Sequence, residues 1–411
     1  MPVFAPRIPW GTEAAESSGI NFDRMKQERA AKAKAALKKH GIAACLLTLS
    51  DDIRYTVGGR GNFVMPRQFS YSMFFVEHDP LQYASMALRG DRRMTGPEAE
   101  CIRIPYSSLE EACGPENTRE VAKRFAAGIK NDLKERGLEK EKLGIDQLDE
   151  PSRQALVDEG IELVNVKPAL LEARAIKTED EINCLKMAAA ICDVGYYEMY
   201  KAMKPGARQQ DVMATALEAV FRAGAESVTQ IIVGAGAGSR SDKRFQTGDL
   251  VSVDFVSVRY MGYGTCYMRQ FIIGRRPTDK EREYFKKSRD IIYKILDAIK
   301  PGVSVAEVAK MWHPASYFDY DTEEEVLAMD ICHGLGLSLY EYPIVGRLYS
   351  YPETFEKGMV FAIEAQESAP EHGIPRIKME EMAIVTDKGA EIYSTMPFND
   401  FMVAGLIDTG E

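Results

Sequence analysis

The sequence predicts an α+β chain of two domains, and three observations carry that prediction. First, 411 residues are more than one ordinary domain and enough for two. Second, charged helical stretches alternate with short apolar strand runs through the first 165 residues, the pattern of an α/β domain. Third, beyond a strongly helical stretch near residue 170 the strand-type runs lengthen, and three of them contain or end on an acid: Asp254, Glu364 and Glu380. The expected domains are therefore 1–170 and 171–411.

The elements follow in order. Residues 1–20, rich in Pro, Gly and Ser, read as an extended arm. A charged helix spans Phe22 to Lys39 and ends at His40-Gly41. Strands are expected at 43–49, 70–76 and 82–88, with the segment Ile53-Arg54-Tyr55-Thr56 and a Gly-rich turn at 58–61 after the first. Helices at 119–136 and 150–159 alternate with short strands at 143–145 and 161–164. Residues 169–193 are helical, and Thr178 with Glu181 has capping-box spacing, which places a helix start there. A helix at 208–223, strands at 228–233, 250–258 and 267–273, and helices at 280–299 and 305–311 come next. The remainder is mostly β and closes on 398–406.

Bulk properties exclude several function classes. A formal net charge of -10 argues against nucleic acid as a partner. No apolar run has the length of a membrane span, and the first residues lack a basic region followed by an apolar one, so no membrane partner and a cytoplasmic location are expected. Seven scattered cysteines read as reduced thiols.

Chemistry concentrates in five stretches. Cys332-His333-Gly334-Leu335-Gly336 sets a histidine at a Gly-x-Gly turn and runs on to Tyr340-Glu341-Tyr342-Pro343. Around it in sequence lie Gly248 to Phe255 with Asp254, Gly262 to Arg269 with Cys266, Gly358 to Glu364, and Lys378 to Thr386 with Glu380. A lone acid within a β run is costly to bury unless it is paired or bound to a cation. Three such carboxylates and one imidazole form a metal-type constellation.

The order Asp … Gly-Tyr-x-x-x-x-x-Arg … His-Gly-x-Gly-Leu … Gly-Met-x-x-x-x-Glu … Glu, behind an Arg-x-Ile-Lys-x-x-x-Glu-Ile helix, resembles the pita-bread enzymes. These include methionine aminopeptidase, aminopeptidase P, prolidase, creatinase and a dimethylsulfoniopropionate (DMSP) lyase. The resemblance covers about 170–400, and 20–165 look like the creatinase-type N-terminal domain. Ile53 to Thr56 and Met396 to Asn399 look most like the DMSP lyase branch. The resemblance implies a pita-bread C-terminal domain behind an α/β N-terminal domain, usually as a homodimer. It also implies metal ligands at Asp254, His333, Glu364 and Glu380.

This sequence departs from the family pattern at several of its positions. The second family aspartate, which bridges two metals, falls on Cys266, and an aspartate that the DMSP lyase branch adds falls on Val256. A thiolate offers one soft donor where a carboxylate offers two hard ones. One divalent transition metal, zinc or iron ahead of manganese, is the economical expectation, with a metal-free site as the alternative. A histidine that the peptidases use falls on Tyr340, and the loop at 234–241 supplies no histidine for a second, so peptidase chemistry is not the first expectation. That expectation is instead metal-assisted cleavage of C–S or C–N in a small carboxylate substrate, with His333 and Tyr340 catalytic and Tyr340 acting as a phenolate base. Arg60 and Arg67 would anchor an anion while Phe63 and Met65 surround an onium group. A creatinase-like metal-free C–N hydrolase, an Xaa-Pro aminopeptidase or dipeptidase, and an inactive binding protein are the alternatives. Glu341, Glu367 and Glu381 read as neighbouring or surface acids, and His313 as structural.

Overall fold

The computed structural model describes residues 19–58, 70–84, 100–103, 114–235, 242–325, 331–348, 353–369 and 372–406. The expected arm at the start, most of the Gly-rich turn, and Arg60, Phe63, Met65 and Arg67 lie outside them. The chain divides into two compact units that meet in sequence between Arg174 and Ala175.

The first unit begins with helix α1 (Phe22–Lys39), whose N-cap Asn21 accepts the amide of Arg24. Strand β1 (Ala44–Leu47) follows, buried throughout. The segment Ile53 to Thr56 is helical, within α2 (Ser50–Val57). Strands β2 (Ser70–Phe75), β3 (Leu81–Ala84) and β4 (Glu100–Arg103) precede helix α3 (Pro115–Glu135). Strand β5 (Leu143–Ile145), helix α4 (Glu150–Asp158), strand β6 (Leu163–Asn165) and helix α5 (Lys167–Ala175) complete it. Its six strands form one mixed sheet in the order β4-β3-β2-β1-β5-β6. Apolar side chains of the sheet and of α3 (Ala44, Leu46, Phe75, Phe125, Ile129, Leu143) form a common core.

The expected helical stretch at 169–193 resolves into α5, which closes the first unit, and α6 (Glu179–Ala202) of the second, separated where Thr178 and Glu181 make the capping box. Helix α7 (Gln209–Arg222) leads to strands β7 (Ser227–Ala235), β8 (Leu250–Tyr260), β9 (Tyr263–Gly264) and β10 (Met268–Ile273). Helices α8 (Asp279–Ala298) and α9 (Val305–Ala309) precede β11 (Cys332–Gly334), β12 (Glu341–Val345), β13 (Val360–Ala369), β14 (Ile374–Thr386), β15 (Gly389–Ile392) and β16 (Met402–Ala404). Two five-stranded sheets result, β16-β10-β8-β7 with β9 on β8, and β12-β11-β13-β14-β15.

Each long strand shows a helix one face and turns its acid to the other. On β8, Phe255 packs on Tyr196 of α6 with ring centroids 4.4 Å apart, so the neighbouring Asp254 points away from that helix. On β13, Ile363 and Ala365 join Ile292 and Ile295 of α8 in the core, which leaves Glu364 on the opposite face. Among the described residues no helix is long and apolar enough to cross a membrane. Five cysteines there, Cys266 among them, are buried free thiols.

Candidate metal centre

Strand register builds the site. Glu364 of β13 lies directly opposite Glu380 of β14, and His333 of β11 lies opposite Ala362, two residues before Glu364 on β13. The period of two therefore sets His333, Glu364 and Glu380 on one face. Two acids facing each other across adjacent strands repel, and both are buried. A cation beside the pair, or a proton on one of the two, relieves that repulsion.

The backbone beneath them is fixed. Glu364 donates its amide to Ile331 O (2.8 Å) and accepts the indole N–H of Trp312 at its own carbonyl (2.8 Å). Arg269 donates to the carbonyls of Glu380 (2.9 Å) and Met396 (2.9 Å) and pairs with the buried Glu381. Its guanidinium lies between the rings of Tyr267 and Phe398, 4.8 and 4.7 Å from their centroids. Tyr196 sets its hydroxyl within 2.9 Å of Val253 O and 2.7 Å of Tyr267 O, tying together the backbone beside Asp254 and beside Cys266.

The Gly-x-Gly turn has a steric cause. A Cβ on Gly334 would come within 2.3 Å of Tyr342 O, and one on Gly336 within 2.4 Å of the Glu341 carboxylate. Glu341 is buried; it accepts from Lys177 Nζ (2.8 Å) and from the amide of Ser338 (3.0 Å), so it clamps the loop that carries Tyr340. Glu341, Glu367 and Glu381 are thus all buried and partnered, the neighbouring rather than the surface setting of the two expected for them. Glu367 accepts from the Tyr317 hydroxyl (2.9 Å) and lies 3.4 Å from His313, whose ring stacks on Tyr317, a structural setting for that histidine.

The structure brings Cys266, His333 and Glu380 together: Sγ, one ring nitrogen and one carboxylate oxygen lie within 4.8 Å of one another, all buried. Cys266 faces the site, and its amide donates to Met382 Sδ (3.4 Å). His333 Nε2 is 3.5 Å from Glu380 Oε1 and 3.6 Å from Glu364 Oε1. Asp254 is buried beside them, but it and Glu364 lie outside the three-residue group. Glu364 is ion-paired with Lys378 of β14, a residue to which the sequence reading gave no role. Its signal was strand parity, since Lys378 stands two residues before Glu380 and shares its face.

Electrostatics match a site built for positive charge. Burial first, then Glu380, pushes Asp254 well above the usual carboxylate range. Burial and Glu380 likewise push Glu364 up, against the pull of Lys378. The Cys266 thiol is pushed up by burial and then by Glu380 and Asp254. Burial pulls His333 down, but Glu380 and Glu364 beside it win and raise it. Tyr340, half exposed with its ring 4.7 Å from that of His333, is pushed up by burial and by Glu364. That push belongs to the metal-free chain; Tyr340 would act as a phenolate base only with a bound cation beside it to reverse the shift.

The donor set fits a divalent ion. Asp254 Oδ1 and Glu380 Oε1 are buried and make no aligned hydrogen bond among the described residues, although His333 Nε2 stands 3.5 Å from Glu380 Oε1. Thiolate, imidazole and carboxylate together suit a borderline-soft ion such as zinc better than magnesium or manganese.

The model of metallopeptidase family M24 matches residues 183–387, which contain every residue of this cluster. The chain belongs to metallopeptidase family M24. It is 31% identical over 251 residues to the uncharacterized peptidase YqhT of Bacillus subtilis, covering 57% of this chain and 67% of that protein. It is 27% identical over 242 residues to the Xaa-Pro dipeptidase of Pyrococcus furiosus, covering 56% of this chain and 66% of that one. A DMSP lyase, DddP of Roseobacter denitrificans, is a more distant M24 relative, 26% identical over 278 residues that cover 63% of this chain and 60% of the lyase. The alignments thus span about two thirds of the length of these curated relatives or less. In structure the chain superposes on an Xaa-Pro dipeptidase from Bacillus anthracis with a TM-score of 0.71 at 23% identity, over 92% of this chain and 99% of the other. The M24 fold is therefore the two-domain α+β architecture of the prolidase and aminopeptidase P structures, a creatinase-type N-terminal domain followed by a pita-bread domain.

Proposed function

We propose that this M24 chain is a metal-dependent hydrolase of small carboxylate-bearing substrates, of the Xaa-Pro dipeptidase kind. The observation that carries the reading is the buried convergence of Cys266, His333 and Glu380 beside carboxylate oxygens that make no aligned hydrogen bond among the described residues. The dipeptidases among the relatives support hydrolysis over the C–S or C–N lyase expected first. Cys266, His333 and Glu380 would hold the ion, with Asp254 and Glu364 alongside. When bound, it supplies a Lewis acid for the scissile carbonyl and a water acidic enough to attack near neutral pH.

The chain's own groups do the rest. Arg269, Trp312 and the Lys177–Glu341 pair hold the ligand strands and the turn in register, so the donors need no rearrangement. Tyr340, a phenol protonated at neutral pH, offers an O–H beside His333 for the developing oxyanion. A homodimer acting on a small molecule completes the proposal, and light scattering checks the dimer.

The DMSP lyase relative supports a second reading, β-elimination at the same site. Metal-reconstituted protein assayed on Xaa-Pro and other dipeptides, with DMSP in parallel, separates the two. Dipeptide turnover is expected, abolished in His333→Ala and reduced about 10²-fold in kcat in Tyr340→Phe, the scale of one lost oxyanion donor. Turnover of DMSP with a flat dipeptide panel would transfer the site to elimination. An unchanged kcat in Tyr340→Phe would remove that residue from the chemistry.

A further inference from the structure

The five ligand positions do not converge on one point. Cys266, His333 and Glu380 form one group, whereas Glu364 keeps Oε1 3.6 Å from His333 Nε2 and gives Oε2 to the ammonium of Lys378. Lys378 lies opposite Gln366 on the same face as Glu364 and Glu380, with only 12% of its side chain exposed. Its ion pair is with Glu364, and its charge is also felt by Asp254 and Tyr340 while it feels that of Glu380, so the ammonium stands among the carboxylates of the cluster. A buried lysine is tolerated only where carboxylates compensate it, and here they do.

We propose that the ammonium of Lys378 holds the place of a second cation, so that the site takes a single divalent ion on Cys266, His333 and Glu380. The inference rests on the metal-dependent reading above and deepens it. Charge arithmetic favours it. With an ion bound, the carboxyls ionised and His333 neutral, Asp254, Glu364 and Glu380 bring three negative charges, Lys378 returns one, and one divalent ion cancels the remaining two. Ionisation of Cys266 on binding would leave one net negative charge. A second divalent ion would make the buried cluster net positive with or without that ionisation, at a steep desolvation cost. The donor chemistry points the same way, because Cys266 brings a single sulfur to the group.

The test counts ions on the full chain. Protein stripped by a chelator is titrated with Zn²⁺ and, separately, with Co²⁺; bound metal per chain is measured by plasma mass spectrometry and the binding phases by calorimetry. Wild type is expected to bind one ion in one phase, with a thiolate-to-cobalt absorption band that Cys266→Ser lacks. Lys378→Met is expected to take two ions per chain, and Lys378→Arg to keep one. Two ions in the wild type would overturn the inference and leave the hydrolase reading standing. One ion of unchanged affinity in a folded Lys378→Met would also overturn it. No bound ion in the wild type would sink the metal-dependent reading and this inference with it. Should Lys378→Met fail to fold, the wild-type count and Lys378→Arg still decide: one ion in each supports the inference, and two in either removes it.

Discussion

Asp52 in the first unit and Glu380 in the second are both fully buried acids, and their surroundings are opposite. Asp52 receives Arg174 Nη1 at 2.8 Å on one oxygen and Lys167 Nζ at 2.9 Å on the other. Close to it, Asp146 accepts the amides of Thr48 (2.9 Å) and Leu49 (2.8 Å). Glu380 instead faces Glu364 across the ladder, and its Oε1 makes no aligned hydrogen bond among the described residues. A buried carboxylate met by cations and amides is part of the fold's own polar framework. One left short of donors and set against another acid waits for something the chain does not contain. The contrast separates structural from functional charge without reference to sequence relatives, and it can be broken by experiment.

The largest effect is expected in the first unit. Asp52→Ala removes the carboxylate shared by Arg174, 2% exposed, and the partly buried Lys167, and should cost about 3–5 kcal/mol, the usual range for removing one partner of a buried ion pair. Urea unfolding measures it, and metal content should not change. A loss under 1 kcal/mol would mean that the pair is not a structural element. Asp146 gives a smaller, pH-dependent effect. Burial, then the charge of Asp52, pushes its carboxyl up to about 6, above the 3.8 of the unfolded chain, despite its amide donors. The folded state then binds more protons than the unfolded state between those values. The contribution of Asp146 is therefore greatest below pH 4, falls as pH rises to 6 and is flat beyond. Its size is about 2 kcal/mol after allowance for partial exposure. Urea midpoints from pH 4 to 7 should show this slope in the wild type and a weaker one in Asp146→Asn; equal slopes would refute it.

Much of the architecture was legible because it rests on local signals. The capping box at Thr178 and Glu181, the helix from Phe22 and the acids within apolar strands are all written over a few residues. That His333, Glu364 and Glu380 come together on one face was legible from spacing in a known order. Whether Cys266 faces the site was not, because a cysteine in an apolar stretch reads equally as a small hydrophobe. Lys378 was missed because a lysine in a strand reads as a solvent-facing residue until its partner is known, and register rather than sequence puts Glu364 beside it. Glu341 stayed open between a neighbouring and a surface acid for a related reason: Lys177, which pairs with it, is 164 residues away. Tyr340 illustrates a third limit. Its position suggested a base, but what sets its ionisation in the metal-free chain, burial first and then Glu364, is contributed by other parts of the fold.

The smallest effect has the opposite sign to the first and tests the comparison most sharply. Glu380→Gln keeps the side chain's shape and removes one of two facing charges. In metal-free protein it should relieve the repulsion from Glu364 across β13 and β14 and stabilise the second unit by about 1 kcal/mol, the upper range for a directly opposed like-charged pair. The same change removes a ligand from the Cys266–His333–Glu380 group, so metal affinity should fall and the stabilisation that the ion adds should fall with it. Thermal unfolding of wild type and variant, each with and without Zn²⁺, gives the four values required. A variant more stable than wild type without metal and less stable with it fits a cluster arranged for a cation. A variant less stable under both conditions would place Glu380 with Asp52, as an acid the fold needs for itself.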